Sequence, residues 1–145
     1  MNMPTMRTID DMRIGSTASH GALIDTEMVT AYAAMSGDHN PIHEDEAYAG
    51  KTRFARPVAH GLLVGSFIQT ALTKLVAPGG VSTSYQLDLV GPAFVGTTVT
   101  ASATCTQLDT VTRRATFTTT VVDDNTQTKL ITGTAVVAFP KGEKR

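Results

Sequence analysis

From Pro57 to Thr73 the chain runs for seventeen residues without a Lys, Arg, Asp or Glu. Apolar side chains fall there on two adjacent ridges of helical spacing, Leu63, Phe67, Ala71, Leu75 and Val64, Ile68, Leu72, Val76. A helix with two such ridges has to be buried on most sides. The segment beginning at Pro57-Val58-Ala59-His60-Gly61 therefore predicts a helix to about Val76, closed by Pro78-Gly79-Gly80. Ser66, Gln69, Thr70 and Thr73 interrupt its apolar surface, and the stretch is short for a bilayer, so it suits a central core helix and not a membrane span. At its amino end, Gly61 and Leu62 should present unpaired backbone N–H groups.

The rest of the chain has to wrap that helix. Beyond Gly80 the pattern changes to period two. Val81–Val90 leads to a Gly91-Pro92 break, then Thr97–Leu108 alternates Val99, Ala101, Ala103 and Cys105 with Thr98, Thr100, Ser102 and Thr104. A turn near Asp109-Thr110 precedes Thr112–Val122, and a last strand covers about Lys129–Phe139. Short turns predict an antiparallel β-meander. The expected fold class is α+β, an antiparallel sheet wrapped around one long helix.

Ahead of the core helix, residues 1–15 read as a loosely ordered lead pinned by Ile9, Met12 and Ile14. Ser16–Ile24 is a strand interrupted by Gly21. Asp25 or Thr26 caps a helix whose apolar positions are Met28, Val29, Tyr32 and Met35. His20 has no sequence neighbour to work with and reads as a surface histidine. Residues 141–145 read as a polar tail.

At 145 residues, with no repeat or linker, residues 1–145 are expected to form a single domain. The 12 basic and 13 acidic side chains give a formal charge of −1, which provides no electrostatic footprint for nucleic acid or an anionic membrane. Met1-Asn2-Met3-Pro4-Thr5 lacks the basic and apolar regions of a secretory signal. One cysteine, Cys105, excludes an internal disulfide framework, reads as a small buried hydrophobe, and suits a cytoplasmic location.

The chemically capable side chains gather in Met35-Ser36-Gly37-Asp38-His39-Asn40-Pro41-Ile42-His43. On a continuous helix Asp38 and His43 would stand about 140° apart. Gly37 and Pro41 break the helix, and the resulting turn brings the carboxylate and the imidazole to one mouth, where they can share a water. The same residues allow a purely structural reading, with Asp38 and Asn40 capping backbone and His43 satisfied in the core. Glu44-Asp45-Glu46 reads as the solvated first turn of a short helix and not as a metal site. Lys51, Arg53 and Arg56 crowd around Phe54, either to meet phosphates at a cleft or as an ordinary basic loop.

Tyr32-x-x-Met35-Ser36-Gly37-Asp38-x-Asn40-Pro41-Ile42-His43, with Ala49 six positions beyond, resembles the hydratase motif of the MaoC-like (R)-specific enoyl-CoA hydratases. Pro57-Val58-Ala59-His60-Gly61 resembles the start of their central helix, and the order of elements is similar to their hot-dog fold. The resemblance implies Asp38 and His43 as the catalytic pair, Asn40 as a supporting residue and Gly61 as the backbone donor to the thioester oxygen. It also implies substrate contacts near His60, Ser66 and Gln69, with Lys51, Arg53 and Arg56 as candidates for coenzyme A phosphates. Some members carry serine where this chain has Gln69, a departure that bears on acyl-chain preference.

The implied activity is reversible hydration of a trans-2-enoyl-CoA to an (R)-3-hydroxyacyl-CoA, with coenzyme A as part of the substrate and no metal or other cofactor. A set such as Asp38, His39 and His43 lacks a zinc spacing, and His39 should face solvent. The rival classes are a hot-dog thioesterase and a non-catalytic acyl-thioester binding protein. An exposed sheet edge beside the site predicts a homodimer or larger homo-oligomer.

Overall fold

A computed structural model describes residues 4–142, so the first three residues of the lead and the last three of the tail lie outside the described residues. Strand β1 (Thr17–Leu23) is followed by α1 (Thr26–Ser36), the short helices α2 (Pro41–Glu44) and α3 (Glu46–Gly50), and the long α4 (Gly61–Val76). Strands β2 (Val81–Leu89), β3 (Thr98–Asp109), β4 (Arg114–Asp123) and β5 (Lys129–Ala138) complete the chain. All five strands form one antiparallel sheet around α4, the α+β hot-dog architecture. Among the described residues no helix is long and apolar enough to cross a membrane.

Helix α4 buries Leu63, Val64, Ile68, Ala71, Leu72 and Val76 in a cluster with Val99, Ala101, Ala103, Phe117 and Ile131 from the sheet. Each fully buried Val, Leu, Ile or Phe side chain among these contributes about 1.5–3 kcal/mol. Alanine at 101, 103, 115 and 135 keeps the inner face of the sheet low, which leaves room for the helix. On the outer face Thr17, Thr104, Thr118 and Thr134 stand opposite one another across four strands. Threonine combines the β-branch that favours a pleated surface with a hydroxyl that tolerates water.

The strand order is β1-β3-β4-β5-β2, which corrects the expected meander. Only β3, β4 and β5 follow one another; β2 pairs with β5 at the far edge. The segment between β2 and β3 crosses from one side of the sheet to the other, held on the way where Phe94 bridges to Val58. Close approach of β2 to β5 requires the bare backbone of Gly133, since a Cβ there would collide with the Gln86 carbonyl.

Smaller corrections follow the same packing. Ile9 and Met12 are buried and Arg7 donates to the carbonyls of Leu75 and, through its backbone N–H, Pro78, so the lead is tied down from there; Ile14 is exposed. Asp25 caps α1 through the Met28 N–H, but α1 buries Val29 and Ala33 and leaves Met35 exposed. His20 is half-buried, its ring 6.0 Å from that of Phe67 on α4, because its position on β1 faces inward. Helix α4 keeps one open face through Leu62, Gln69, Thr70, Thr73 and Lys74. Cys105 is buried as expected.

Candidate active site

The site begins where α1 stops. Gly37 takes a left-handed conformation, φ 80°, and its N–H closes the helix on the Ala33 carbonyl. Asp38 follows with its N–H on Ser36 Oγ at 3.2 Å, and its Oδ1 accepts the Asn40 N–H at 3.1 Å. Asn40 in turn caps α2, accepting from the Ile42 N–H, while Pro41 fills the first helical position, where no N–H is needed. One turn of α2 then delivers His43 back towards Asp38. The capping reading of Asp38 and Asn40 is therefore correct as far as Asp38 Oδ1 and Asn40 Oδ1 go.

Asp38 Oδ2 remains, and it stands 3.9 Å from His43 Nε2. That is too long for a direct hydrogen bond and is a span that one water can bridge. The Asp38 side chain is 54% exposed and that of His43 12%, so the pair sits with one member in solvent and one sheltered. His43 Nδ1 is 2.5 Å from the Val58 carbonyl, a pure acceptor. Nδ1 must therefore carry a proton, and in the neutral ring Nε2 faces Asp38 as a lone pair.

His60 completes the cluster. It is 3% exposed, places Nε2 2.9 Å from the Asp38 carbonyl, and stacks on His43 with centroids 3.7 Å apart and planes at 27°. The Tyr32 ring lies 4.8 Å away on its other contact. These contacts leave the His60 ring buried in the single chain. Ligand atoms of Asp38, His43 and His60 lie within 4.8 Å of one another. Two of the four ring nitrogens, His43 Nδ1 and His60 Nε2, face carbonyls, which leaves His43 Nε2 and His60 Nδ1 without a protein hydrogen-bond partner among the described residues. His39 is exposed and lies 3.0 Å from Glu44, away from this cluster. Asp45 caps α3 through the Tyr48 N–H, the solvated first turn expected there.

The remaining candidates divide between two cavities. Gly61 and Arg53 line one of about 310 Å³, together with Val58, Val64, Leu89 and Ile131, so a cationic mouth leads to an apolar floor beside the start of α4. Ser66 and Gln69 line another of about 220 Å³ with Tyr32, Leu62, Gly65, Tyr85 and Leu87. The Ser66 hydroxyl donates to its own helix at Leu63 O, 2.6 Å. Arg56 lies over the Phe94 ring at 3.8 Å and Arg53 over Phe54 at 4.7 Å. Lys51 is exposed and lines neither of these cavities. Tyr32 and the Val58 carbonyl are site components that sequence reasoning did not assign; Tyr32 opens the quoted motif, whereas a backbone carbonyl carries no residue signal.

The family described as MaoC like domain matches residues 11–127. The chain belongs to that family. Among MaoC-like relatives, the (R)-specific enoyl-CoA hydratase of Rhodospirillum rubrum is 37% identical over 112 residues, 77% of this chain and 78% of the relative. The (R)-specific enoyl-CoA hydratase of Aeromonas caviae is 35% identical over 130 residues, 89% of this chain and 96% of the relative. The solved (R)-hydratase from A. caviae involved in PHA biosynthesis superposes with a TM-score of 0.85 at 35% identity, covering 89% of this chain and 98% of that one.

Proposed function

We propose that this MaoC-like protein catalyses reversible hydration of trans-2-enoyl-CoA to (R)-3-hydroxyacyl-CoA, with Asp38 and His43 as the catalytic pair. The observation that carries the reading is the 3.9 Å between Asp38 Oδ2 and His43 Nε2, both of them acceptors when the His43 ring is neutral. A water between two acceptors donates one hydrogen to each, so an oxygen lone pair is left pointing out of the site towards an electrophilic β-carbon. Asp38 takes a proton as the C–O bond forms. Electron density moves through the double bond to the thioester oxygen, which the Gly61 N–H at the start of α4 stabilises. The proton then passes to the α-carbon from the same face, giving syn addition, and Asn40 supports the turn throughout. The chemistry needs no metal or redox group, and the similarity to two (R)-specific hydratases supports it.

Coenzyme A phosphates belong in this reading beside the cationic mouth, with Arg53 as the principal contact, Arg56 secondary and Lys51 least involved. Ser66 and Gln69 lie further along α4 than Gly61. Gln69 is about 12 Å on by helical rise, so it meets long acyl chains and not short ones. A homodimer through the β2 edge completes the proposal, because Leu89 and Val90, which line the larger cavity, and Leu62 and Tyr85, which line the smaller, are all exposed in a single chain.

The deciding experiment is Asp38→Asn, followed by loss of enoyl absorbance and by release of free thiol. Asparagine keeps an oxygen for the Asn40 N–H and removes the proton acceptor. Turnover is expected to fall by about 10²–10⁴-fold with the fold retained. Hydration within a few-fold of the parent sinks the assignment. Thiol release by the parent without hydration would make the protein a thioesterase, and acyl-CoA binding without either reaction would make it a binding protein.

A further inference from the structure

His60 occupies the N-cap position of α4, yet its side chain makes no capping bond. Its Nδ1 is buried with no hydrogen-bond partner among the described residues. An apolar side chain would avoid leaving that acceptor unsatisfied, so the other contacts of the ring have to explain it. There are two of consequence. The Asp38 carbonyl can only accept, so the 2.9 Å contact requires a hydrogen on His60 Nε2, donated to it. The ring face covers that of His43 at 3.7 Å. One side chain thus holds the backbone of one member of the reacting pair and the ring plane of the other, while the tilted Tyr32 ring packs against it at 4.8 Å.

We infer that His60 is a positioning residue for the Asp38–His43 pair, fixing the span across which the two groups share a water. The inference rests on the reading of those two as the reacting groups. Asp38 follows the left-handed Gly37 and is more than half exposed, so its carboxylate needs an anchor from outside its own turn. The bond to its carbonyl supplies one from α4. His43 is held at Nδ1 by Val58, a contact that leaves rotation about the line of that bond open; the stacked ring of His60 closes it. A displacement of about 1 Å at such a pair costs as much as 10²-fold in rate.

Two substitutions separate the contacts. His60→Gln keeps an N–H donor at similar reach and removes the ring; His60→Phe keeps the ring and removes the donor. Each is expected to lower kcat about tenfold or more with KM within about twofold, and His60→Ala to lose more than either. A purely structural role would instead lower the folded fraction without changing kcat per folded molecule, which circular dichroism separates. Values of kcat per folded molecule within about twofold of the parent in both His60→Gln and His60→Phe overturn the inference. Asp38→Asn is measured alongside: if it is inactive while the His60 variants match the parent, only the role of His60 falls. If Asp38→Asn matches the parent, the reacting pair and His60 fall together. On the unsubstituted protein, nitrogen-15 spectra should show the hydrogen of neutral His60 on Nε2, and finding it on Nδ1 overturns the inference even if no variant folds.

Discussion

Asp38 divides its work between two oxygens, one bound to the Asn40 N–H and one facing His43, and this division is why a capping reading and a catalytic one are compatible. It also sets the expected pattern for a double mutant. His43→Gln should lose turnover on the scale of Asp38→Asn, because a water held by two acceptors loses its position when either goes. Asp38→Asn/His43→Gln should then be little worse than either single variant; losses that multiply would mean the two groups act on separate steps. For the cationic mouth, Arg53→Gln should raise KM for the coenzyme A substrate, with an effect that shrinks as salt rises, while Lys51→Gln leaves KM unchanged. Equal effects from the two would remove Arg53 as the principal contact. For the chain end, Gln69→Ser should change rates on long enoyl substrates and leave four-carbon ones alone; a change confined to short chains contradicts the placement along α4. The motif, its turn and the approach of Asp38 to His43 were legible in the sequence, because Gly37 and Pro41 act locally. The anchors were not, since Val58 lies 15 residues from His43 and His60 22 residues from Asp38, and only tertiary packing brings them together.

At the scale of elements, hydrophobic period located the central helix and β3, β4 and β5 to within a few residues, because each buries one face; β1 and β2 lie where expected along the chain as well, although neither holds a fully buried residue. The position of β2 was not legible. Alternation says which face of a strand is buried and nothing about which strand lies beside it, and a Gly-Pro break fits a hairpin and a crossover equally well. The open face of α4 escaped for a related reason: the absence of charge between Pro57 and Thr73 suggested burial on most sides, yet Leu62, Gln69, Thr70 and Thr73 face out in a single chain. The β3–β4 turn is set by Asp109, which accepts the N–H groups of Val111 and Thr112 at 3.0 Å each. Bonds from Thr112, first its backbone and then its side chain, hold the Asp109 carboxyl below its ordinary value. A depressed folded value means that this contribution to stability is complete above the unfolded value of about 3.9 and is lost as pH falls through the lower folded one. Asp109→Asn should therefore melt below the parent at neutral pH, with the gap closing in acid. A gap that is constant down to about pH 2 would show that ionisation of Asp109 is not linked to folding.

At the scale of the whole molecule, the sheet of the described residues has two edges, β1 and β2, and they are not equivalent. Edge β2 carries exposed Val81, Tyr85 and Leu89, continued by Val90 and by Leu62 on the open face of α4. Soluble proteins seldom leave an edge of this apolar character uncovered, since its unpaired backbone and its side chains both invite another strand. A second copy related by a two-fold axis meets both needs, because antiparallel pairing of β2 with its equivalent continues the sheet and brings the same patch against itself. The consequence reaches the cavities: Leu89 and Val90 line the larger and Leu62 and Tyr85 the smaller, so covering the edge also covers both. The protein should sediment as a dimer at micromolar concentration. Val81→Lys/Tyr85→Lys would set like charges facing one another across the axis and should give a folded monomer with reduced kcat/KM, the loss greatest for long acyl chains. An unsubstituted protein that is monomeric by light scattering at that concentration contradicts the dimer. A dimer unmoved by the two lysines means that β1, and not β2, is the edge that pairs.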